Sequence, residues 1–416
     1  MKVGIIGMGY VGLPLAVAFA EAGDEVYGVE VDPVRVAALE RAESYVEDVS
    51  SERLQAVLGR LHATTRYADL AKVDAVVIAV PTPLTRNREP DLTALEDASA
   101  RLGEVLQEGQ LIVLESTTYP GTTREKLVPI LEEHSNLVAG SDFSVAFSPE
   151  RVDPGRTDHT MKNTPKIVGG LTPACLERAL QLYAHVCDTL VPVSAPEPAE
   201  LAKLLENVFR SVNIALVNEL AMLCDRMGID IWEVVEAAST KPYGFMRFDP
   251  GPGMGGHCLP VDPFYLAWKA REYDIPTEFI ELAGEVNQEM PYFCADKITA
   301  ALNDQTKPVR GSRILVLGVA YKAGVGDLRE SPGLKIMRIL RQRGAEVVFH
   351  DDYIGELPEF GLVSEPLDDA LRTSDCAVIV TAHPELDVQR VVDEASLVVD
   401  FRGVTRGIES ANLVRL

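Results

Sequence analysis

Cysteine is scarce in this sequence, and its spacing is irregular. Six cysteines are spread over 416 residues, and no two of them form a Cys-x-x-Cys pair. Disulfide frameworks and structural zinc sites depend on paired spacings, so we expect reduced thiols, no bound metal and a cytoplasmic protein. The positions are Cys175, Cys187, Cys224, Cys258, Cys294 and Cys376.

Positive charge is scarce as well. The chain has 39 Lys and Arg against 63 Asp and Glu, which gives a net charge of −24. Such a balance argues against nucleic acid or an anionic membrane as a partner. Long apolar runs are missing, so no membrane span is predicted. A short N-terminal signal peptide is disfavoured, because Gly7, Gly9, Gly12 and Pro14 interrupt the apolar run there.

The first thirty residues carry a dinucleotide-binding fingerprint. A buried strand is predicted over 2–6, a helix over 13–22 and a second strand over 25–30, which ends in Glu30. Between the first strand and the helix, a G-x-G-x-x-G turn places backbone N–H groups against a pyrophosphate. Glu30 would bind the adenosine ribose and repel a 2′-phosphate, which predicts NAD rather than NADP. The predicted cofactor contacts in the turn are Gly7, Gly9, Tyr10, Val11 and Gly12.

Three more strands, predicted over 74–80, 110–115 and 143–147, extend a parallel sheet. Each ends beside a polar residue, namely Thr82, Thr117 and Glu150. Ligands of doubly wound sheets bind beyond the carboxyl ends of the strands, so these three residues are expected to converge. Taken singly, each is more commonly an ordinary turn or cap residue.

The longest helical pattern runs over 196–227, with prolines near its start and Gly228 just after its end. We interpret it as a spine whose surplus apolar face forms a homodimer interface. Lys203 and Asn207 are four residues apart and therefore share a face. Polar residues on such a helix are more often solvated than functional.

A loop over 251–263 is rich in glycine and proline and contains Cys258 and Asp262. Two interpretations stay open from this stretch alone. One is a nucleophilic thiol held in a ligand pocket, and the other is a connector with a small buried cysteine. The apolar run over 264–268 is predicted to be a helix that anchors the loop.

A second α/β pattern, with strands over 313–318, 345–349, 376–380 and 397–401, lacks the G-x-G-x-x-G turn. Lys322 and Arg329 follow its first strand and Arg402 its last, which favours a phosphate-bearing ligand other than a dinucleotide. The predicted class is α/β, with two Rossmann-like doubly wound domains joined by a long central helix. The predicted domains are 1–195 for NAD, 196–300 for the helical spine and dimerisation, and 301–416 for the second ligand.

Several motifs together resemble the UDP-glucose/GDP-mannose dehydrogenase family. They are Gly7-Met-Gly-Tyr-Val-Gly12, Pro81-Thr82-Pro83, Ser148-Pro149-Glu150, Lys203 with Asn207, Gly255-Gly-His-Cys-Leu-Pro-Val-Asp262 and Asp327-Leu-Arg-Glu-Ser-Pro332. The resemblance implies oxidation of a UDP-sugar at C6 to a uronic acid by two NAD, through a thiohemiacetal and a thioester. It also implies a homodimer.

The resemblance further implies individual roles. Cys258 would be the nucleophile, Lys203 with Asn207 would stabilise the oxyanion, and Asp262 would orient or deprotonate a water. Glu150 and Thr117 would complete the acid–base network. The remaining cofactor contacts would be Glu30, Arg35, Thr82, Thr117 and Arg329. The substrate contacts would be Glu150, Arg151, Lys203, Asn207, Arg247, Gly251, Gly255, Lys322 and Arg402.

The sequence departs from the family at one position, because Pro154 stands where some members carry a second glutamate. The base for hydrolysis is therefore open. The segments around Glu150 and Cys258 resemble most the members that oxidise UDP-N-acetylhexosamines, above all UDP-N-acetylglucosamine. UDP-glucose and UDP-N-acetylmannosamine are the nearest alternatives. A one-step hydroxyacid dehydrogenase would not need Cys258, and an NAD-binding sensor would not need the catalytic set.

Overall fold

The computed structural model describes residues 1–46, 48–85, 87–152, 158–256 and 259–416. The chain divides into two compact units. Unit 1 comprises Met1–Glu206 with Phe264–Ile275, and unit 2 comprises Asn207–Pro263 with Pro276–Leu416. The predicted division into three domains stays a prediction.

Unit 1 contains an eight-stranded sheet in the order β3-β2-β1-β4-β5-β6-β7-β8. All neighbours are parallel except β6 and β7, which pair antiparallel. The direction in which strands are added to the sheet reverses between β1 and β4. Doubly wound sheets bind their ligands at such a point. The strands are β1 Lys2–Ile6, β2 Glu25–Val29, β3 Leu61–Thr64, β4 Ala75–Ile78, β5 Leu111–Leu114, β6 Ser144–Phe147, β7 Lys166–Gly170 and β8 Leu190–Val193.

Three helices of unit 1 begin after a residue whose side chain caps the first turn. Asp32, Ser50 and Thr172 each accept a hydrogen bond from a backbone N–H in the first turn of the helix that follows. Helices α1 and α6 contribute apolar side chains to the core formed with the strands. The helices are α1 Gly12–Glu21, α2 Pro33–Glu40, α3 Ser51–Val57, α4 Thr93–Gly103, α5 Val128–Ser135 and α6 Pro173–Tyr183.

The long helix α7 spans Pro196–Met227, as predicted. Its 32 residues correspond to about 48 Å of helix. Gly228 has a φ of +68°, and the Ile229 amide donates back to the Cys224 carbonyl at 3.0 Å, which ends the helix. Residues up to Glu206 are part of unit 1, and those from Asn207 are part of unit 2.

Unit 2 contains a five-stranded parallel sheet in the order β10-β9-β13-β14-β15, and a two-stranded sheet formed by β11 and β12. Its strands are β9 Arg313–Leu317, β10 Glu346–His350, β11 Glu356–Leu357, β12 Leu362–Val363, β13 Cys376–Ile379, β14 Val398–Asp400 and β15 Leu413–Arg415. The later helices of the chain are α8 Ile231–Ser239, α9 Asp262–Ala270, α10 Glu278–Asp304, α11 Pro332–Gln342, α12 Leu367–Thr373 and α13 Val388–Glu394.

The predicted fold class is confirmed, with two Rossmann-like sheets and a long central helix. Six of the observed strands were not predicted, namely β3, β7, β8, β11, β12 and β15. The helix predicted over 264–268 is α9, which begins two residues after Pro260. Among the described helices, none combines the length and the apolar character needed to cross a membrane.

Candidate active site

The turn after β1 is built around three glycines with different geometry. Gly7 has a φ of +91°, and a Cβ there would lie 2.6 Å from the Ala79 carbonyl oxygen. A Cβ on Gly12 would overlap the Gly7 carbonyl oxygen. At Gly9, by contrast, no atom of a described residue lies within 4 Å of the Cβ position. The first and third glycines are thus required by the fold itself, and the second leaves room that a pyrophosphate fits.

Glu30 is fixed beside this turn. Its side chain is buried and accepts hydrogen bonds from the Met8 amide at 3.2 Å and the Asp32 amide at 3.1 Å. Arg35 lies 3.7 Å from its carboxylate and stacks over the ring of Tyr45 at 5.2 Å. The structure therefore brings together the acid and the arginine that were predicted to hold the adenosine, while Tyr10 of the turn is exposed.

Two of the predicted threonines are linked at the ends of neighbouring strands. The Thr82 hydroxyl donates to the Thr117 carbonyl oxygen at 2.6 Å. The Thr82 carbonyl accepts from the hydroxyl of Tyr265 at 2.9 Å, which ties the end of β4 to α9 within unit 1. The two segments that follow β4 and β5 are thereby held side by side.

Glu150 follows β6 and belongs to a cluster of buried polar side chains that the sequence analysis missed. One of its oxygens accepts from the Arg151 amide at 2.7 Å and the Val152 amide at 2.6 Å. The other lies 3.7 Å from Nζ of Lys166. The same Nζ lies 2.9 Å from Glu115, whose carboxylate also accepts from Tyr183 at 2.5 Å.

Burial and mutual charge control titration in this cluster. Burial raises the pKa of Glu115 more than the neighbouring Lys166 lowers it. Burial alone would lower the pKa of Lys166, but the two facing carboxylates outweigh it and raise that pKa. Burial also raises the pKa of Tyr183, so this hydroxyl stays neutral.

Arg151, a predicted substrate contact, is engaged by other groups of unit 1. Its guanidinium lies 2.6 Å from Glu206 and donates to the Pro165 carbonyl oxygen at 2.6 Å. Pro154, which bears on the hydrolytic base, lies outside the described residues.

Lys203 and Asn207 are buried, rather than solvated as polar residues on a helix more often are. Asn207 donates to a carboxylate oxygen of Asp262, which is also buried, and accepts from Arg210. This Asn207–Asp262 pair is a buried polar contact within unit 2, and it holds the first residue of α9.

The polar positions of α7 continue as a stripe that the sequence analysis did not recognise. Glu200 accepts from the Gly121 amide at 2.6 Å and from the Thr123 amide at 2.9 Å, and it therefore satisfies the backbone after β5. The sequence contained a signal for this stripe, because its polar residues are three, four or seven positions apart. Residues with these spacings lie on one face of a helix. The buried members are Glu200, Lys203, Asn207, Ser211 and Asn218.

Asn218 fixes the glycine-rich loop. Its side chain accepts from the Gly251 amide at 2.9 Å and donates to Asn287 at 2.9 Å. Asn287 donates in turn to the Met254 sulfur at 3.4 Å and to the Ser211 carbonyl at 3.1 Å. Two asparagines, 69 residues apart, thus hold the start of the loop in unit 2.

The same loop contacts the carboxyl edge of the unit 2 sheet. A Cβ on Gly251 would lie 2.7 Å from Nη1 of Arg402, and one on Gly255 would lie 2.6 Å from Cβ of Tyr321. The Gly256 amide donates to the Arg329 carbonyl oxygen at 2.9 Å. The structure therefore brings Gly251 and Gly255 together with the segments that carry Lys322, Arg329 and Arg402.

Three predicted residues are less directly placed. Arg247 forms a 2.8 Å ion pair with Asp249. Arg329 forms one with Asp327 at 2.6 Å, and its contact with a cofactor stays a prediction. Cys258 lies outside the described residues. Within the described ranges, no cluster of three or more His, Cys, Asp and Glu could hold a metal ion.

Residues 1–187 match the sequence model of the NAD binding domain of the UDP-glucose/GDP-mannose dehydrogenase family. Residues 197–289 match the central domain of that family, and residues 315–407 match its UDP binding domain.

Relatives match over nearly the full chain. A UDP-N-acetyl-D-mannosamine dehydrogenase from Pyrococcus horikoshii is 35% identical, covering 98% of this chain and 100% of the relative. A UDP-N-acetyl-D-glucosamine 6-dehydrogenase from Pseudomonas aeruginosa is 36% identical, covering 92% and 91%. A solved UDP-D-ManNAc dehydrogenase from Pyrococcus horikoshii superposes with a TM-score of 0.92 at 33% identity, covering 100% and 99%.

The protein is an NAD-binding oxidoreductase, and the turn around Gly9 has the room that this cofactor requires. The chain belongs to the UDP-glucose/GDP-mannose dehydrogenase family, so its substrate is a nucleotide sugar. The predicted family and cofactor are confirmed.

Proposed function

We propose that the protein is a UDP-N-acetylglucosamine 6-dehydrogenase that converts the C6 alcohol to the uronic acid. The observation that supports it best is the seating of the Gly251–Gly256 segment against Arg402 and the backbone of Arg329 in unit 2. A diphosphate needs cations and close backbone approach, and this edge of the sheet provides both. The product would be a precursor for a polysaccharide or another glycan, made in the cytoplasm.

The proposed reaction proceeds through a covalent intermediate on Cys258. Bound NAD serves as hydride acceptor for both oxidations. The Cys258 thiolate adds to the C6 aldehyde that the first oxidation produces, and loss of hydride from the resulting thiohemiacetal gives a thioester. Water then cleaves the carbon–sulfur bond, which releases the acid and returns the thiol. Two NAD are reduced and one water is consumed for each sugar.

Buried polar groups would support these steps. Lys203 would stabilise the oxyanion, since it is a cation with little access to water. Asn207 holds the Asp262 carboxylate through a hydrogen bond, so the two would act as a unit that orients water. Glu150 would accept a proton at the hydrolytic step, and Thr117 would complete the acid–base network.

The acetamido group is the basis for choosing an N-acetylhexosamine. Phe245 and Met246 have exposed side chains in the segment before Gly251, and Phe248 packs edge-on against Phe209 with the ring centroids 5.8 Å apart. Such apolar surface suits the methyl of an acetamido group. The matched relatives are named for both N-acetylglucosamine and N-acetylmannosamine substrates. UDP-glucose is the other alternative.

A homodimer is part of the proposal. One face of α7 is apolar and exposed, although the opposite face is buried, and such a stripe is a liability in a monomer. A light-scattering mass near twice 45.3 kDa is expected at micromolar protein, and a monomeric mass would contradict the dimer. The stripe consists of Leu201, Leu205, Phe209, Leu216, Leu220, Leu223 and Met227.

The function is tested by a panel of nucleotide sugars with NAD, followed by absorbance of NADH. We expect the highest kcat/KM for UDP-N-acetylglucosamine and two NADH for each sugar. Cys258→Ala should form no acid while it still binds NAD. Lys203→Ala should lose about 3–4 kcal/mol of transition-state stabilisation, with KM little changed. Faster turnover of another sugar would revise the substrate, and one NADH for each sugar would exclude the thioester route.

A further inference from the structure

The segment that follows β5 carries Thr117, and its start is fixed by the segment that follows β4. Residues 111–119 are all buried except Thr117, which is partly exposed. The Ser116 hydroxyl donates to the Val80 carbonyl oxygen at 2.7 Å, and the Thr117 carbonyl oxygen accepts from the Thr82 hydroxyl at 2.6 Å. The backbone of Thr117 is therefore held, while its side chain stays accessible at the carboxyl edge of the sheet.

The far end of this segment is held by Glu200 of α7, which is fully buried. Its Oε2 accepts from the Gly121 amide at 2.6 Å. Its Oε1 accepts from the Thr123 amide at 2.9 Å and from the Thr123 hydroxyl at 2.6 Å. Three donors converge on one carboxyl group, so both of its oxygens act as acceptors. Leaving a buried donor unpaired is costly, and the backbone over 121–123 is therefore closely tied to α7.

Lys203 lies one turn further along the same helix. Three residues advance an α-helix by about 4.5 Å, and side chains with this spacing lie on one face. Lys203 is buried, and it belongs to unit 1 together with Glu200 and the segment after β5. One turn of α7 thus carries both the carboxyl group that holds the Thr117 segment and the cation proposed for the oxyanion.

Glu197 joins the same two elements in a different way. Its Oε1 accepts from Nε of Arg124 at 2.7 Å, and the two side chains are 33% and 50% exposed. A solvated pair of long side chains contributes little to the relative position of two elements. Glu197 therefore offers a matched comparison for Glu200, three residues earlier on α7.

We infer that Glu200 is a positioning residue that sets the distance between Thr117 and Lys203, because it holds the backbone after β5 against α7. This role rests on the proposed catalytic roles of Lys203 and Thr117. Glu200 itself contacts neither substrate nor cofactor in this scheme. Its effect on the rate would come through Lys203, and a misplacement of about 1 Å can cost up to about 100-fold in rate.

Glu200→Gln replaces one of the two acceptor oxygens with an NH2 group that faces a donor. We expect kcat to fall at least about tenfold, with the NAD dissociation constant and the KM for the UDP-sugar changed by less than about threefold. Thr123→Val keeps the shape of the side chain but removes one of the three donors, so kcat should fall a few-fold. Glu197→Gln, the control, should change kcat by less than about twofold.

A double-mutant cycle separates positioning from a purely structural role. In a Lys203→Ala background, Glu200→Gln should lower kcat by less than about twofold, because the cation to be positioned is gone. A structural role would lower kcat by the same factor in both backgrounds, since independent effects add in free energy. Equal losses in the two backgrounds would therefore overturn the positioning role of Glu200.

The experiment uses the full-length enzyme with NAD and whichever UDP-sugar turns over fastest. Calorimetric NAD binding reports whether each variant is folded, and Thr123→Val tests the positioning role even if Glu200→Gln does not fold. If Lys203→Ala keeps its kcat, the proposed role of Lys203 fails, and the positioning role fails with it. If Lys203→Ala loses kcat while Glu200→Gln and Thr123→Val keep it, only the positioning role of Glu200 fails.

Discussion

Gly7 follows β1 and Gly318 follows β9, and both have positive φ, of +91° and +76°. Each lies against the backbone after the neighbouring strand: a Cβ on Gly7 would crowd the Ala79 carbonyl, and one on Gly318 would overlap the Thr381 carbonyl. The two sheets therefore turn at an equivalent point. Only the first continues with an open glycine, Gly9, which separates a dinucleotide site from a site of another kind.

The acids that follow the second strand of each sheet also differ. They differ in the number of hydrogen bonds that they accept within the protein. Glu30 accepts two backbone hydrogen bonds, so part of its carboxylate is available to a ribose. Asp351 accepts from His383 and from four backbone amides, which uses all the positions that a carboxylate has. At the same place in the fold, one acid has acceptor positions left for the ribose contact that we propose, and the other holds its own loop.

The largest expected effect concerns Gly9. In Gly9→Val the side chain fills the space intended for the pyrophosphate, so NAD affinity should fall at least about 100-fold, which is roughly 3 kcal/mol. The thermal transition should change little, because the described part of the chain has no atom within 4 Å of the Cβ position. Isothermal titration calorimetry with NAD measures the affinity.

Two other glycines are the controls for that experiment. A Cβ on Gly59 would also meet nothing within 4 Å among the described residues, and Gly59→Val should bind NAD normally. Gly318→Val should instead lower the stability of unit 2, since its φ is +76°. Unchanged NAD binding in Gly9→Val would refute the distinction between the two turns.

The next effect, about 2–3 kcal/mol, concerns the two acids. Asp351→Asn should lower the free energy of unfolding by this amount, because it weakens charged hydrogen bonds to a buried carboxylate. Glu30→Gln should change stability by less and should reduce the preference for NAD over NADP. Urea denaturation measures the first effect, and kcat/KM for the two cofactors measures the second.

The dependence of folding stability on pH provides a further check on Asp351. Burial alone would raise its pKa, but hydrogen bonds from His383 and the Val319 and Tyr353 amides lower it below the ordinary 3.8. A lowered pKa in the folded state contributes stability above about pH 4 and loses it as the pH falls through the folded value. The difference between Asp351→Asn and the parent should therefore shrink in acid, and a constant difference would contradict this assignment.

Local sequence patterns were sufficient for one part of the molecule. The fingerprint from β1 to Glu30 and the bounds of α7 were predicted closely, because glycine spacing, proline at the helix start and Gly228 at its end act within a few residues. The strands that were missed lack such signals. β8 contains Pro192 and is largely exposed, and β7 pairs antiparallel with β6 through only two residue pairs.

The buried polar clusters could not be predicted in this way. Lys166 is separated from Glu115 by 51 residues, and a lysine after a polar loop is most often solvated. Asn218 and Asn287 lie on different helices. Their pairing depends on how α7 and α10 pack within unit 2, and no local pattern encodes that packing.

The smallest effect tests how each unit holds its ligand-binding backbone. The turn of unit 1 is shaped by glycines, whereas the loop of unit 2 depends on the Asn218 side chain. Asn218→Ala should cost about 1–2 kcal/mol of stability and weaken binding of the UDP-sugar several-fold. NAD binding should be unchanged. Asn213→Ala, on the same helix, removes a local hydrogen bond to the Phe209 carbonyl and is the matched control. Hydrogen exchange at the Gly251 amide should rise in Asn218→Ala and not in the control. If its protection and the UDP-sugar affinity were both unchanged, the loop would be held by its glycines and prolines alone, as the turn of unit 1 is.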